Sequence, residues 1–263
     1  MHFTKMHGLG NDYLYVYGEV PEDVAALSQK LSDRHLGAGS DGMIFISPSG
    51  RADFKMRIFN ADGSEAKMCG NGIRCVGKYV YDKGYTDKTR LSIETLSGVK
   101  SLALQLRAGK VKNVTVDMGK VVVGEEKEIV AGTQAVRGTP VSVGNPHFVV
   151  FVPDAQAVPL EAIGPDIEAH PAFPGGVNVE FVQRTGENRL RMRVWERGSG
   201  VTMACGTGAC AAAAAAAHKG LCARGTPIFV QLDGGTLEIE IDESGSVRMT
   251  GPAETVYEGE TVQ

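Results

Sequence analysis

The sequence predicts an α+β protein of two pseudo-symmetric halves, each a curled, mostly antiparallel sheet around a central helix. Three observations carry that expectation. A shift of 136 positions (205 − 69) lays Arg57-Ile58-Phe59-Asn60 on Arg193-Val194-Trp195-Glu196, Cys69-Gly70-Asn71-Gly72 on Cys205-Gly206-Thr207-Gly208, and Lys83-Gly84 on Lys219-Gly220, with no gap. Short β-prone runs fill both copies. Each cysteine motif is followed by an apolar stretch that ends at Lys-Gly. A chain of 263 residues accommodates two halves of ordinary domain size. Turn residues gather around Gly119, Gly132 and Gly138-Thr139-Pro140, which sets the expected halves at 1–118 and 119–263.

Taken in order, strands are expected over 13–17, 43–46, 54–59, 91–96 and 111–116. Their counterparts are 147–151, 179–182, 190–195, 228–232 and 236–241. Amphipathic patterns predict a helix over 22–32 and another over part of 160–170. Gly8-Leu9-Gly10-Asn11-Asp12 lacks the lysine of a phosphate loop and the third glycine of a dinucleotide fingerprint, so it reads as a turn between strands. The remaining two helices start at the cysteine motifs and stop where a basic residue precedes glycine. The second, from about 208 to 219, is nearly all alanine and has no polar face, which predicts a buried helix. The first carries Ile73, Val76, Tyr79 and Val80 and is again mostly apolar. A buried helix in an otherwise strand-rich half implies a sheet curled around it.

Composition removes several classes of function. A net charge of −4 and the lack of any lysine or arginine run argue against nucleic acid or an anionic membrane surface as partner. The longest uncharged small-residue run, 209–217, is far short of the ~20 residues that span a bilayer. Five cysteines, an odd number without small-domain spacing, read as a reduced set, and Met1-His2-Phe3-Thr4-Lys5 lacks the apolar stretch of a secretory signal. The expected location is the cytoplasm. No G-x-S-x-G or H-E-x-x-H pattern occurs. The separations of Cys69 from Cys75 and of Cys205 from Cys210 do not suit zinc knuckles, so no metal is expected, and Cys75, Cys210 and Cys222 read as packing residues.

The chemistry gathers at the two helix starts. Glycines let a ligand approach the main chain, and the first turn of a helix offers unpaired N–H groups and a positive dipole end to a carboxylate. A thiol placed there is expected to ionise below the free cysteine value of ~8.5. Two opposed thiols around a held carboxylate can take a proton from one face of a carbon and return one to the other. The residues therefore point to a cofactor-independent amino-acid epimerase. Two alternatives stand beside it: a non-catalytic amino-acid-binding protein, and a redox dithiol, which leaves the doubled glycine cradle unexplained. His147, in Gly144-Asn145-Pro146-His147, is either a satisfied strand residue or part of the site.

The same strings resemble the diaminopimelate epimerase family over nearly the full length. They are Phe3-Thr4-Lys5-Met6-His7-Gly8-Leu9-Gly10-Asn11-Asp12, Phe59-Asn60-Ala61-Asp62-Gly63-Ser64, Cys69-Gly70-Asn71-Gly72, Gly144-Asn145-Pro146-His147, Val177-Asn178, Glu196-Arg197-Gly198 and Ala204-Cys205-Gly206-Thr207-Gly208-Ala209-Cys210. The resemblance implies conversion of LL-diaminopimelate to its meso form for lysine and peptidoglycan synthesis, with neither pyridoxal phosphate nor metal, in the cleft between two related halves. It implies that Cys69 and Cys205 are the base and acid, and that Gly70, Asn71, Gly206 and Thr207 hold the reacting carboxylate. By the same match Asn11, Asn60, Asn145, Asn178, Glu196 and Arg197 grip the rest of the substrate, His147 and Glu196 tune the thiols, and Tyr257 belongs to a homodimer contact. Two departures appear: Gly42 stands where some members carry a glutamine, and Thr207 where a serine is common. A proline or hydroxyproline racemase of the same architecture is the nearest competitor, although Glu196-Arg197 and the asparagines suit a longer substrate with a second charged end.

Overall fold

The 136-residue period governs the backbone as well as the sequence. The structure, a computed structural model, describes residues 1–261. Its first copy runs β1 (His2–Gly8), β2 (Asn11–Tyr17), α1 (Val24–Ser32), β3 (Gly42–Pro48), β4 (Phe54–Asn60), β5 (Glu65–Ala66), α2 (Gly70–Asp82), β6 (Arg90–Thr95), β7 (Gly98–Arg107) and β8 (Lys110–Lys120). Next come β9 (Val122–Val123), β10 (Lys127–Ala131), β11 (Gln134–Ser142), β12 (Pro146–Phe151), α3 (Leu160–Glu168), β13 (Asn178–Gly186), β14 (Arg189–Glu196) and β15 (Gly200–Val201). The chain closes with α4 (Gly206–His218), β16 (Ile228–Leu232), β17 (Gly235–Ile241), β18 (Ser246–Pro252) and β19 (Glu254–Glu260). Adding 136 to either end of α1 gives α3, and adding it to either end of α2 gives α4.

The chain divides into two compact units, one of Met1–Val116 together with the residues from Gly251 onward, the other of Asp117–Thr250. The expected halves, 1–118 and 119–263, therefore need correcting at the C-terminal end. The reason is strand pairing: β19 lies antiparallel on β1, with His2 opposite Glu260 and Lys5 opposite Tyr257. The second unit fills the equivalent place with β9, which pairs with β11.

Within each unit the ladder has one order. In the first, β1–β2, β3–β4, β6–β7 and β7–β8 are antiparallel, while β2–β3 and β4–β6 are parallel. In the second, β11–β12, β13–β14, β16–β17 and β17–β18 are antiparallel, while β12–β13 and β14–β16 are parallel. A parallel pair needs a crossover, and a helix supplies each one: α1 and α2 in the first unit, α3 and α4 in the second.

Strand alternation sorts side chains onto two layers. Leu14, Val16, Met43, Phe45 and Phe59 pack with Val24 and Leu31 of α1. Their counterparts Val150, Val179 and Phe181, joined by Phe148, pack with Leu160 and Ile167 of α3. The opposite faces turn toward the central helices, which are buried from Gly70 to Val80 in α2 and almost throughout α4. Among the described residues no helix is long and apolar enough to cross a membrane.

Candidate active site

Each central helix begins at a cysteine for a local reason. Cys69 is extended (φ −135°, ψ 118°) and its sulfur accepts the Gly72 N–H at 3.3 Å; Cys205 is extended (φ −112°, ψ 110°) and accepts the Gly208 N–H at 3.3 Å. Both thiols thus cap their helices in the way serine or aspartate usually does, which holds each sulfur at the positive end of a helix dipole. The third residue after each cap has no room for a side chain. A Cβ at Gly72 would lie 2.7 Å from Ile44 Cδ1, and one at Gly208 would lie 2.7 Å from Glu180 Oε1.

In the first unit, the turn between β1 and β2 has positive φ at both central residues, Leu9 (59°) and Gly10 (87°), which suits a two-residue hairpin. That turn delivers Asn11 to the thiol, and Cys69 Sγ donates to Asn11 Oδ1 at 3.3 Å. Asn11 Nδ2 in turn donates to Asp41 at 2.8 Å, and Arg34 bridges Asp41 and Asp12 at 2.8 Å each. Burial raises the Asp12 carboxyl, but hydrogen bonds from Arg34 and Lys5 outweigh it and hold the group below the usual range. Tyr13, buried beside Cys69, has its phenol pushed up by burial and then by the thiol. Asn71 is 3% exposed and its Oδ1 accepts from Arg74 Nη2 at 3.1 Å. Gly70 is buried, and its carbonyl accepts from Arg74 Nη1 at 3.2 Å. Asn60 closes its own turn, its Nδ2 donating to Ser64 Oγ at 3.1 Å.

In the second unit Cys205 heads a longer chain of polar groups. Its sulfur lies 3.6 Å from Thr207 Oγ1, Thr207 accepts from Asn145 Nδ2 at 3.3 Å, and Asn145 Oδ1 is 3.1 Å from His147 Nε2. His147 Nδ1 lies 2.6 Å from Glu180 Oε1, with both side chains fully buried. The other oxygen, Glu180 Oε2, has no hydrogen-bond partner among the described residues. Glu196 accepts from Thr202 at 2.5 Å and interacts with Cys205; burial raises its carboxyl despite both contacts. Gly206 is buried at the helix start. Asn178 Oδ1 accepts the Arg197 N–H at 2.8 Å, while the exposed Arg197 side chain donates to Gly175 O at 2.9 Å.

One expectation needs correction. A helix start was expected to lower both thiols, yet burial, followed by Glu196 and Glu180, pushes Cys205 well above its ordinary value, against Thr207 and the Gly208 N–H. Gly42, which stands where a glutamine is expected in some members of the family it resembles, has no room for any side chain: its φ is 154° and a Cβ there would stand 2.1 Å from Phe59 O. Glu180, Arg74, Asp41 and Tyr13 were not foreseen. Glu180 and Arg74 did leave a signal: each is the single charge in an otherwise apolar stretch of a buried element. Tyr257 lies edge-on to Phe3 and donates to Ala38 O at 3.2 Å, with 40% of its surface exposed.

Solved structures share this duplicated fold. A hydroxyproline epimerase from Agrobacterium vitis superposes with a TM-score of 0.74 at 20% identity, over 98% of this chain and 90% of that one. A phenazine biosynthesis protein from Bacillus anthracis does so with a TM-score of 0.78 at 17% identity, over 100% and 99%. The chain thus shares its fold with these proteins. Sequence narrows the class. The diaminopimelate epimerase family model matches residues 3–124 and 139–256. A diaminopimelate epimerase of Acetivibrio thermocellus is 52% identical over 99% of this chain and 98% of its own length, and one of Bacteroides thetaiotaomicron is 53% identical over 98% and 97%. The chain belongs to the diaminopimelate epimerase family, a family of isomerases.

Proposed function

We propose that this protein interconverts LL-2,6-diaminopimelate and its meso epimer through two thiols, with no cofactor, in lysine and peptidoglycan precursor synthesis. The observation that carries this reading is the pair of helix-capping cysteines at one address in a duplicated fold, within a family of diaminopimelate epimerases. The N–H groups at Gly70, Asn71, Gly206 and Thr207 are suited to the carboxylate on the reacting carbon and to the charge that builds there as the proton leaves. One sulfur takes the α-proton while the other returns a proton to the opposite face. Burial beside Glu196 and Glu180 favours the protonated form of Cys205, which suits that thiol to deliver a proton. In the reverse direction Cys205 must lose its proton, and Glu196 and the His147–Glu180 pair tune that step.

Arg197 and the asparagines at 11, 60, 145 and 178 serve the distal carboxylate and ammonium, with Glu196 offering the matching anion. A cytoplasmic homodimer, with Tyr257 and its exposed neighbour Val256 at the contact, completes the proposal.

The test is epimerisation of LL-diaminopimelate with no cofactor added, run in heavy water. Two separate proton carriers require the product epimer to carry deuterium at its α-carbon from the first turnovers, while the remaining starting epimer stays largely unlabelled. Substantial unlabelled product under conditions where the thiols have exchanged refutes the two-thiol assignment. Turnover of proline in preference to diaminopimelate would move the chain to the competing racemase reading.

A further inference from the structure

An amide side chain can turn either its carbonyl oxygen or its NH2 group toward a sulfur. At Cys69 it is the oxygen, with Sγ donating to Asn11 Oδ1 at 3.3 Å. The other end of the same amide is committed elsewhere: Asn11 Nδ2 donates to Asp41 Oδ2 at 2.8 Å. Asp41 Oδ2 also accepts the Asp12 N–H at 3.0 Å, and its Oδ1 accepts from Arg34 Nη2 at 2.8 Å. A carboxylate that faces donors on both oxygens only accepts, so it takes the NH2 end of Asn11 and leaves the oxygen for the sulfur. The main chain pins Asp41 in that place, its N–H donating to Asp12 O at 2.8 Å and its carbonyl accepting from the Ala61 N–H at 2.9 Å. The second unit has no such relay, since the positions equivalent to Asn11, Arg34 and Asp41 are His147, His170 and Val177.

We propose that Asp41 is a positioning residue for Cys69: by holding the NH2 end of Asn11 it presents an acceptor oxygen to the sulfur, which favours the thiol and makes the thiolate a stronger base. The helix start acts in the other direction, through the Gly72 N–H that the same sulfur accepts at 3.3 Å. A sulfur stabilised by the helix alone would ionise readily but draw a proton from carbon poorly, and the fixed Asn11 oxygen offsets part of that loss of basicity. Tyr13 and Tyr15 of β2 and Cys75 of α2 also act on Cys69, and Arg74 carries the charge of that helix turn, donating to Gly70 O at 3.2 Å. Lys5 and Arg34 pair with Asp12 at 2.9 Å and 2.8 Å. The Asp41 side chain is 39% exposed, so water screens its charge and the amide is its route to the sulfur. The role in proton removal rests on the epimerase reading; the polarity of the amide does not.

The experiment reads the thiol with no substrate present. In a Cys205→Ser background, alkylation of Cys69 by neutral iodoacetamide is followed against pH, and the modified peptide is quantified by mass spectrometry. Asp41→Ala frees Asn11 to turn its NH2 group to the sulfur, and is expected to lower the Cys69 midpoint by about half to one pH unit. With Asn11→Ala also present, the same substitution is expected to move the midpoint less than about a third as far, because the intermediary is gone. An unchanged midpoint in folded Asp41→Ala, or equal shifts in the two backgrounds, overturns the proposal; equal shifts would mean that Asp41 acts through its field. Asn11→Ala alone leaves Asp41 in place and guards against an Asp41→Ala variant that fails to fold. It is expected to lower the midpoint as well, and a midpoint that stays or rises in that variant also overturns the proposal. These readings hold whatever the substrate, whereas absence of turnover on diaminopimelate would count against the epimerase reading alone.

Discussion

Around Cys69 the inner face of the sheet and the helix carry Asn11, Ile44 and Arg74; at the equivalent positions around Cys205 stand His147, Glu180 and Cys210. Helix ends, capping geometry and ladder order coincide between the units, and yet the side chains beneath the two sulfurs differ. The first thiol sits on a turn with a buried cation. The second sits over buried carboxylates that push its ionisation up. A duplicated backbone can therefore hold two thiols in equivalent frames while surrounding them differently.

The strongest way to break the comparison is to remove one sulfur at a time. Cys69→Ser and Cys205→Ser are each expected to lower kcat by at least ~100-fold, the scale of losing a positioned acid or base. Retention of more than a tenth of the activity by either variant would mean that the two units do not share the reaction.

A smaller effect is expected at Arg197, whose counterpart in the first unit is Ala61. If distal recognition belongs to the second unit, Arg197→Ala should lower kcat/KM about ten- to a hundred-fold, the equivalent of one charged hydrogen bond. The reactivity of the thiols toward alkylation should be unchanged. An equal loss of alkylation would instead assign Arg197 to the thiols' own surroundings.

The subtlest change sharpens the electrostatic difference itself. A carboxylate near a thiol disfavours the thiolate, so removing its charge lowers the thiol's ionisation midpoint. Glu180→Gln keeps a hydrogen-bonding partner for His147 but no full charge. It is expected to move the alkylation midpoint of Cys205 down by about one pH unit, read from rate against pH in a Cys69→Ser background. A midpoint that rises would show that Glu180 acts mainly by holding His147.

Much of this arrangement was legible in the chain, for reasons that differ by element. The helices α2 and α4 announce themselves locally, by glycine after the cap, apolar residues along the body and Lys-Gly at the end. The capping sulfurs were equally visible, because a motif repeated in register carries its own control. By contrast β1 and β19 mix lysine, histidine and glutamate with apolar residues, and their strand identity comes from pairing between opposite ends of the chain, which no local pattern records. The rise in the Cys205 ionisation was missed because helix-start reasoning counts the dipole and not what lies beneath it. Glu180 becomes informative only when strand alternation turns it toward α4 and away from the apolar layer of Val179 and Phe181.

The pairing of β1 with β19 also bears on biosynthesis. β1 must wait for a strand made about 250 residues later, since His2 finds its partner only at Glu260. At typical elongation rates of ~5–20 residues per second that wait is on the order of ten to fifty seconds. Through that interval the nascent first unit exposes an open β1 edge, a template for wrong pairing. The second unit, whose equivalent place is filled by β9 from its own beginning, has no such delay. The half whose partners lie close together in the chain can close first, and the half that carries Cys69 closes only once β19 has been made.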